Sequence, residues 1–285
     1  MLAIVGAGYY ILKTPQKLSG EKPKIAATIF PLFDIARNIT GDKIDIIQIV
    51  PAGASPHTFE VTPQVVLKLQ GVAAILKIGV LDDWIDDVAS SNAPGVKVVQ
   101  MSGLVQLRHF SDGSIDPHIW LDLNNDKIIA QKIVQLATEI DPNDAELFKK
   151  NLDSYTVRLD RADSEIKNDF AGFTNRNIAT FHDAWNYFAN RYGINTVASF
   201  EPFPGKEPTP EYLASFIGAV KKYGLKAVFV EPQFSSQSIE QVASDNGIRI
   251  VTINPADGGG IPSDDFIKIM ENNAASIRSV LQLQQ

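Results

Sequence analysis

The chain of 285 residues contains no cysteine and only four histidines. The lack of cysteine excludes disulfides, thiolate nucleophiles and cysteine-based zinc sites from this sequence. Basic residues are also in deficit, because 26 Lys and Arg stand against 33 Asp and Glu, for a formal charge of -7. A surface that binds phosphates needs an excess of Lys and Arg, so we expect no nucleic-acid partner.

Long hydrophobic runs are missing as well. The longest uncharged apolar stretch is residues 1–12, MLAIVGAGYYIL, whereas a transmembrane helix needs about 20 such residues. This stretch has the length of a signal-peptide hydrophobic region without basic residues before it. We interpret residues 1–23 as the remnant of an N-terminal membrane anchor followed by a polar tether, so that either the true start lies upstream or only part of the anchor is present. A buried first strand is the alternative. The expected location is extracytoplasmic, periplasmic or on the cell surface.

Short β-branched runs alternate with amphipathic segments along the rest of the chain, a pattern typical of parallel sheets covered by helices. We therefore predict an α/β fold of two lobes, residues 24–140 and 174–285, each with a four-stranded, mostly parallel sheet flanked by helices. Strands are predicted at 24–30, 45–50, 73–79 and 96–101 in the first lobe, and at 177–181, 194–200, 226–230 and 249–253 in the second.

A single long helix is predicted to join the lobes over residues 141–173. Asp141 and Pro142 suit the N-cap and first helical positions, and apolar residues then recur at alternating steps of four and three. No glycine or proline interrupts residues 143–171, so one rigid helix of roughly 45 Å is favoured over two shorter helices with a kink.

Three histidines follow predicted strands. His57 lies in the proline-rich loop SPHTFEVTP, His118 in DPHIW and His182 in FHDAW. Ligands of open α/β sheets bind at the carboxyl ends of the strands, so these imidazoles are placed to share a metal ion between the lobes. Three neutral imidazoles suit Zn²⁺ or Cu²⁺ better than Mn²⁺ or Mg²⁺. From the residues alone, one shared site and three separate structural histidines both remain open.

Carboxylates stand close to these histidines in the sequence. Glu60, Asp116 and Asp183 are candidates to orient the imidazole N–H groups of a metal site. Three histidines with an open fourth position would also activate water, so a mononuclear zinc hydrolase with Glu60 or Glu231 as general base is the alternative hypothesis. A surface adhesin is a third hypothesis.

Four segments, in order, resemble the zinc- and manganese-binding substrate-binding proteins of metal ABC transporters, the periplasmic solute-binding protein family 9: SPHTFEVTP, DPHIWLD, FHDAWNYFANRYG and FVEPQFSS. The resemblance covers residues 24–283. It implies a metal held between two lobes, delivery to an ABC permease, and no catalytic residues. It also implies that His57, His118 and His182 are three successive metal ligands. We expect a monomer.

The resemblance also bears on the choice of metal. Manganese-binding members often carry a carboxylate at the third ligand position, so His182 favours Zn²⁺, with Mn²⁺ as the second choice. The fourth ligand of the family is usually an aspartate near a proline after the last strand, and the matching position here reads Asn254. Asp257, Glu231 or a water molecule are the alternatives for that position.

Overall fold

Two sheets with the same strand order form the framework of the protein. The computed structural model describes residues 22–201, 203–235, 237–258 and 264–285. The first sheet consists of β1 (Lys24–Ala27), β2 (Asp45–Gln48), β3 (Ala74–Lys77) and β4 (Lys97–Gln100), in the order β2-β1-β3-β4. All of its strand pairs are parallel. The predicted first sheet is confirmed. Its strands are a few residues shorter than the apolar runs from which they were predicted.

The helices of the first lobe are α1 (Phe30–Thr40), α2 (Pro63–Lys68), α3 (Trp84–Asn92) and α4 (Leu123–Ile140). Pro31 is the second residue of α1 and Pro63 the first residue of α2, positions where the missing N–H costs nothing. The Asp122 side chain caps α4 by accepting a hydrogen bond from the Asn124 N–H. These starting signals are local and visible in the sequence.

The second sheet repeats this arrangement with β5 (Asn177–Thr180), β6 (Asn195–Ser199), β7 (Ala227–Val230) and β8 (Arg249–Thr252), in the order β6-β5-β7-β8. Its pairs are also parallel. The helices of this half are α6 (Asn186–Tyr192), α7 (Pro210–Tyr223), α8 (Gln237–Asn246) and α9 (Phe266–Leu281). The two lobes therefore share a topology although no sequence repeat relates them.

One uninterrupted helix, α5 (Ala145–Phe170), connects the lobes. Its 26 residues span roughly 39 Å. It begins later than predicted, because Pro142–Asp144 form a 3-10 turn and the side chain of Asp141 makes no capping hydrogen bond. The alternative of two shorter helices with a kink is wrong, because α5 is continuous. The domain limits at 140 and 174 remain a prediction.

A continuous core runs through both lobes. The buried face of α5 includes Phe148, Leu159 and Phe170, which belong to the same cluster as Trp120 of the first lobe and Phe188 of the second. Helix α9 packs against both α5 and α1. The lobes are therefore attached to each other through two helices, which limits the ways in which they can move.

None of the described helices is long and apolar enough to cross a membrane. The predicted anchor and tether, residues 1–23, lies almost entirely outside the described residues.

Asp126 on α4 is a buried carboxyl group for which both oxygens lack a hydrogen-bond partner among the described residues. Burial, reinforced by the negative charge of Asp122, raises its pKa well above the usual value. A raised native pKa means that the native state binds more protons than the unfolded state, so this group costs stability increasingly as the pH rises above about 4. We expect Asp126→Asn to stabilise the protein at pH 7.5 by about 1–3 kcal/mol.

Thermal unfolding at pH 7.5 and pH 4.5 measures this effect. The gain should be several degrees at pH 7.5 and clearly smaller at pH 4.5. Asp153→Asn, at an exposed position of α5, is the control and should change little at either pH. An equal shift for Asp126→Asn at both pH values would contradict the assigned cause.

Candidate metal centre

The three histidines reach the interlobe cleft from three different loops. His57 lies in the loop between β2 and α2, His118 directly precedes a 3-10 turn at Ile119–Leu121, and His182 stands two residues after the end of β5. The side chains of His118 and His182 are each 1% exposed, and that of His57 is 16% exposed. Two buried imidazoles and one partly accessible imidazole thus line the bottom of the cleft.

The structure brings these imidazoles to a single point. His118 Nε2 lies 3.2 Å from His57 Nε2 and 3.4 Å from His182 Nε2. One ring nitrogen from each histidine lies within 4.8 Å of the other two. Nitrogens bound to zinc at 2.0–2.1 Å in a tetrahedron lie roughly 3.3–3.4 Å apart. The two shorter separations therefore match an arrangement in which His118 shares one ion with each of its neighbours.

A carboxylate lies next to the Nδ1 atom of two of the imidazoles. Asp116 Oδ1 lies 2.7 Å from His118 Nδ1 and also accepts the His118 backbone N–H. Glu231 Oε1 lies 3.1 Å from His182 Nδ1 and accepts the indole N–H of Trp185. A carboxylate on Nδ1 favours the proton on that nitrogen and leaves Nε2 with a free lone pair for a metal. Asp116 thus lies hydrogen-bonded to the ring it is expected to orient, whereas Glu231 lies at ion-pair distance from His182 Nδ1.

Glu60 and Asp183 are the other two carboxylates that the sequence suggests for orienting the imidazoles. Glu60 is exposed and lines a separate cleft with Phe59 and Gln233. Asp183 lines the cleft above the histidines, and burial together with the negative charge of Asp116 raises its pKa. The sequence predicts Glu231 as a possible ligand or general base. Its contacts with His182 Nδ1 and the Trp185 indole place it beside the His182 ring.

The ionisation of the histidines follows from these neighbours. Burial, together with the positive charge that His118 and His182 would carry, lowers the pKa of His57 well below its usual value. Burial also disfavours the charged form of His182, but the carboxylates of Glu231, Asp257 and Asp183 outweigh it and raise the pKa of His182. These carboxylates therefore favour the protonated form of His182 before any metal binds.

The fourth position is approached by Asp257 and not by Asn254. Asn254 Oδ1 accepts the Ala256 N–H at 2.8 Å, and the Asn254 backbone is hydrogen-bonded to the Asn273 side chain, so this residue is engaged in a turn against α9. Asp257 is fully buried, and its Oδ2 lies 3.9 Å from His57 Nε2 without a hydrogen-bond partner among the described residues. Burial raises its pKa, which a nearby cation would reverse.

The orientation of Asp257 depends on its own loop. Ala256 adopts a φ of 66°, an unusual left-handed conformation for a residue with a side chain. Asp257 Oδ1 is then fixed by hydrogen bonds from the Gln233 side chain and the Gly258 N–H. No residue type in the sequence signals this turn, and for that reason the motif match pointed to Asn254.

A backbone contact joins the loops that carry His57 and Asp257. The Gly53 N–H donates a hydrogen bond to the Gly258 carbonyl oxygen. A Cβ at Gly258 would overlap the Ala54 carbonyl oxygen and lie 2.7 Å from the Ala54 carbonyl carbon, although the φ of Gly258 lies outside the left-handed region. Glycine is therefore required for close approach. We call this pair of loop segments, residues 53–55 and 257–258, the interlobe latch.

Comparison with known proteins yields a family and a set of relatives. Residues 25–280 match the family model described as ZnuA, zinc-uptake complex component A, periplasmic. The chain is 30% identical to the manganese ABC transporter substrate-binding lipoprotein PsaA of Streptococcus mitis, with 91% of this chain and 89% of that protein covered. It is 29% identical to the iron ABC transporter substrate-binding lipoprotein MtsA of Streptococcus pyogenes serotype M1, with 90% and 88% covered.

Solved structures show the same fold. A crystal structure of ZnuA superimposes with a TM-score of 0.83 at 26% identity, covering 92% of this chain and all of that one. The substrate-binding protein FpvC of Pseudomonas aeruginosa in complex with Mn²⁺ superimposes with a TM-score of 0.83 at 22% identity, covering 93% and 100%.

Proposed function

Because the chain belongs to the family of the periplasmic zinc-uptake complex component A, we propose that it captures a transition-metal ion in its interlobe cleft and delivers it to an ABC permease. The family consists of binding proteins for transport and not of enzymes. The observation that carries the proposal is the convergence of the Nε2 atoms of His57, His118 and His182.

We further propose that these three imidazoles bind the ion and that Asp257 supplies the fourth ligand. Three imidazoles and one carboxylate form a donor set that suits zinc better than manganese, which prefers a higher proportion of oxygen ligands. The Nε2 separations of 3.2 and 3.4 Å are compatible with zinc. The relatives themselves are named for manganese and iron transport, so the preference for zinc rests on the ligands of this chain.

The binding partner and location follow from the same comparison. The relatives are named lipoproteins of ABC transporters, which supports an extracytoplasmic protein tethered to a membrane and working with a permease. That the protein acts as a monomer is a further part of this proposal. Hydrolysis is disfavoured, because Glu231 is engaged by His182 and Trp185 and Glu60 lines a different cleft.

Calorimetry with zinc and with manganese tests the proposal. One zinc ion should bind per chain, with an affinity at least about 100-fold above that for manganese, in accord with the ligand preferences of the two ions. Equal or tighter binding of manganese would refute the zinc preference and leave the carrier role intact. No binding of either metal would refute both.

Zinc affinity should depend on pH because His182 must lose a proton before its Nε2 can coordinate. Glu231 raises the pKa of His182, so this competition begins above the ordinary histidine value near 6.5. Below the raised pKa, affinity should fall by about tenfold for each unit of pH. Calorimetry between pH 6 and 8, in two buffers that differ in ionisation enthalpy, counts the released protons. Affinity that is independent of pH over this range would contradict the assignment.

Asp257→Asn tests the fourth ligand with almost no change in shape. Loss of the anionic oxygen should weaken zinc binding by about 10–100-fold, since even indirect partners of a metal contribute that much. Asn254→Ala is the matched comparison, because it removes a hydrogen bond within the turn. It should lower the melting temperature and leave the zinc affinity nearly unchanged. If Asn254→Ala weakened zinc binding and Asp257→Asn did not, the assignment of the two residues would be reversed.

A further inference from the structure

A cleft of about 540 Å³ lies directly above the three imidazoles. This volume falls in the range of small-molecule sites, roughly 300–1,000 Å³, whereas a water molecule takes about 30 Å³ of liquid. A bare ion coordinated by side chains needs no such space. All three histidines line this cleft, whereas Asp257 is fully buried and is not part of its lining. An ion bound by the histidines would therefore expose one side to the cleft.

The upper walls carry apolar side chains from both lobes. Val80, in the loop after β3, is 49% exposed, and Phe203, in the loop after β6, is 54% exposed. Val80 also has a φ of 66°, which is strained for a β-branched residue, and such strain is concentrated at functional sites. Phe110 completes this set with its ring edge against His118. Exposed apolar surface on opposite sides of a cleft favours an organic ligand between them.

Polar groups on the same walls supply both kinds of hydrogen bond. On the second lobe, the hydroxyls of Ser199 and Tyr212 are hydrogen-bonded to each other at 3.0 Å, and the one that accepts can donate its own proton to an anionic group. On the first lobe, Asp112 accepts hydrogen bonds from the Ser114 N–H and hydroxyl, which lower its pKa and keep it ionised. A ligand that carries a carboxylate at one end and N–H donors at the other matches these walls.

We propose that the cleft binds the metal as a complex with a small amino-acid chelator. The chelator would contribute two nitrogens to the ion beside the three imidazoles, in place of the Asp257 carboxylate that binds the chelator-free ion, giving the five-coordinate geometry that zinc accepts. Its carboxylate would accept a hydrogen bond from the Ser199–Tyr212 hydroxyl pair, and its metal-bound amine would donate to Asp112. This inference rests on the proposed metal site and extends it to the form in which the metal arrives.

Equilibrium dialysis with radiolabelled L-histidine and zinc tests the proposal directly. The protein should retain close to one histidine per bound zinc, and no histidine when zinc is absent. Ser111→Trp, at an exposed position that lines the cleft, should fill the cleft and reduce retained histidine by at least tenfold while one zinc still binds. Phe203→Ala should reduce retention less, by removing one wall.

The outcomes separate the two levels of the proposal. Zinc bound without histidine by the wild-type protein would refute the chelate site and leave the metal site standing. Histidine retained equally by wild type and Ser111→Trp would place it outside the cleft and also refute the inference. Failure to retain zinc at all, with or without histidine, would refute the metal site itself.

Discussion

His118→Ala should abolish measurable zinc binding at micromolar protein, a loss of at least about 100-fold in affinity. His118 is the ring that both other histidines approach, at 3.2 and 3.4 Å, so its removal leaves no pair of imidazoles within the shorter separations. Loss of an indirect partner of a metal already costs 10–100-fold, and loss of a ligand should cost more. Calorimetry with zinc measures the effect.

Stability provides an independent readout of the same loss. Zinc at 100 times its dissociation constant stabilises the wild-type fold by about 2.7 kcal/mol, whereas His118→Ala should show no rise in melting temperature when zinc is added. His109→Ala is the matched control, because His109 is an exposed histidine in the same segment of chain. It should bind zinc like the wild-type protein.

The buried position of His118 calls for a second variant. Truncation to alanine leaves a cavity and deprives the Asp116 carboxylate of the ring that faces it. His118→Gln retains most of the volume and an amide that can meet Asp116, so it should fold at a temperature closer to the wild-type value and still bind zinc weakly. Zinc titration curves identical to those of the wild type in both variants would remove His118 from the site.

The fold could be predicted closely because its signals are local. Each strand lies within a β-branched run between breakers, as in Lys97–Gln100, and each of α1, α2 and α7 has a proline at its first or second position. The start of the connecting helix was less accurate. Asp141 and Pro142 have the composition of a helix start, but the first turn is wound as 3-10 and α5 begins at Ala145. Composition identifies this boundary without fixing the hydrogen-bond pattern within the turn.

The candidate site was only partly predictable, because two of its carboxylates depend on loop geometry. The histidines could be placed at strand exits by topology alone, and Asp116 lies two residues from the ring it orients. Glu231 and Asp257 are different cases. The position of Glu231 behind His182 depends on the pairing of β5 with β7, and that of Asp257 on a left-handed Ala256. Neither relationship is visible in residue order.

The interlobe latch connects that geometry to function. The latch adjoins the two groups that approach each other from opposite lobes, because His57 lies two residues after Ser55 and Asp257 is itself part of the second segment. The Trp120 indole N–H also donates to the Pro255 carbonyl oxygen at 2.7 Å, so the same loop is bound to the first lobe at a second point. Two contacts fix this loop. A Cβ added at Gly258 would push one contact apart and leave the other in place, so the loop should tilt and Asp257 should move away from His57.

Gly258→Ala should therefore weaken zinc binding by about tenfold or more without altering any ligand. The new Cβ overlaps the Ala54 carbonyl, so the two loop segments must separate, whereas metal–ligand distances tolerate only about 0.2 Å. Gly103→Ala is the matched control, because a Cβ there meets nothing within 4 Å and no left-handed φ is involved. Calorimetry with zinc, together with melting temperatures in the absence of metal, distinguishes a displaced ligand from a destabilised fold. Zinc affinity that is unchanged in Gly258→Ala would show that the latch does not set the distance between His57 and Asp257.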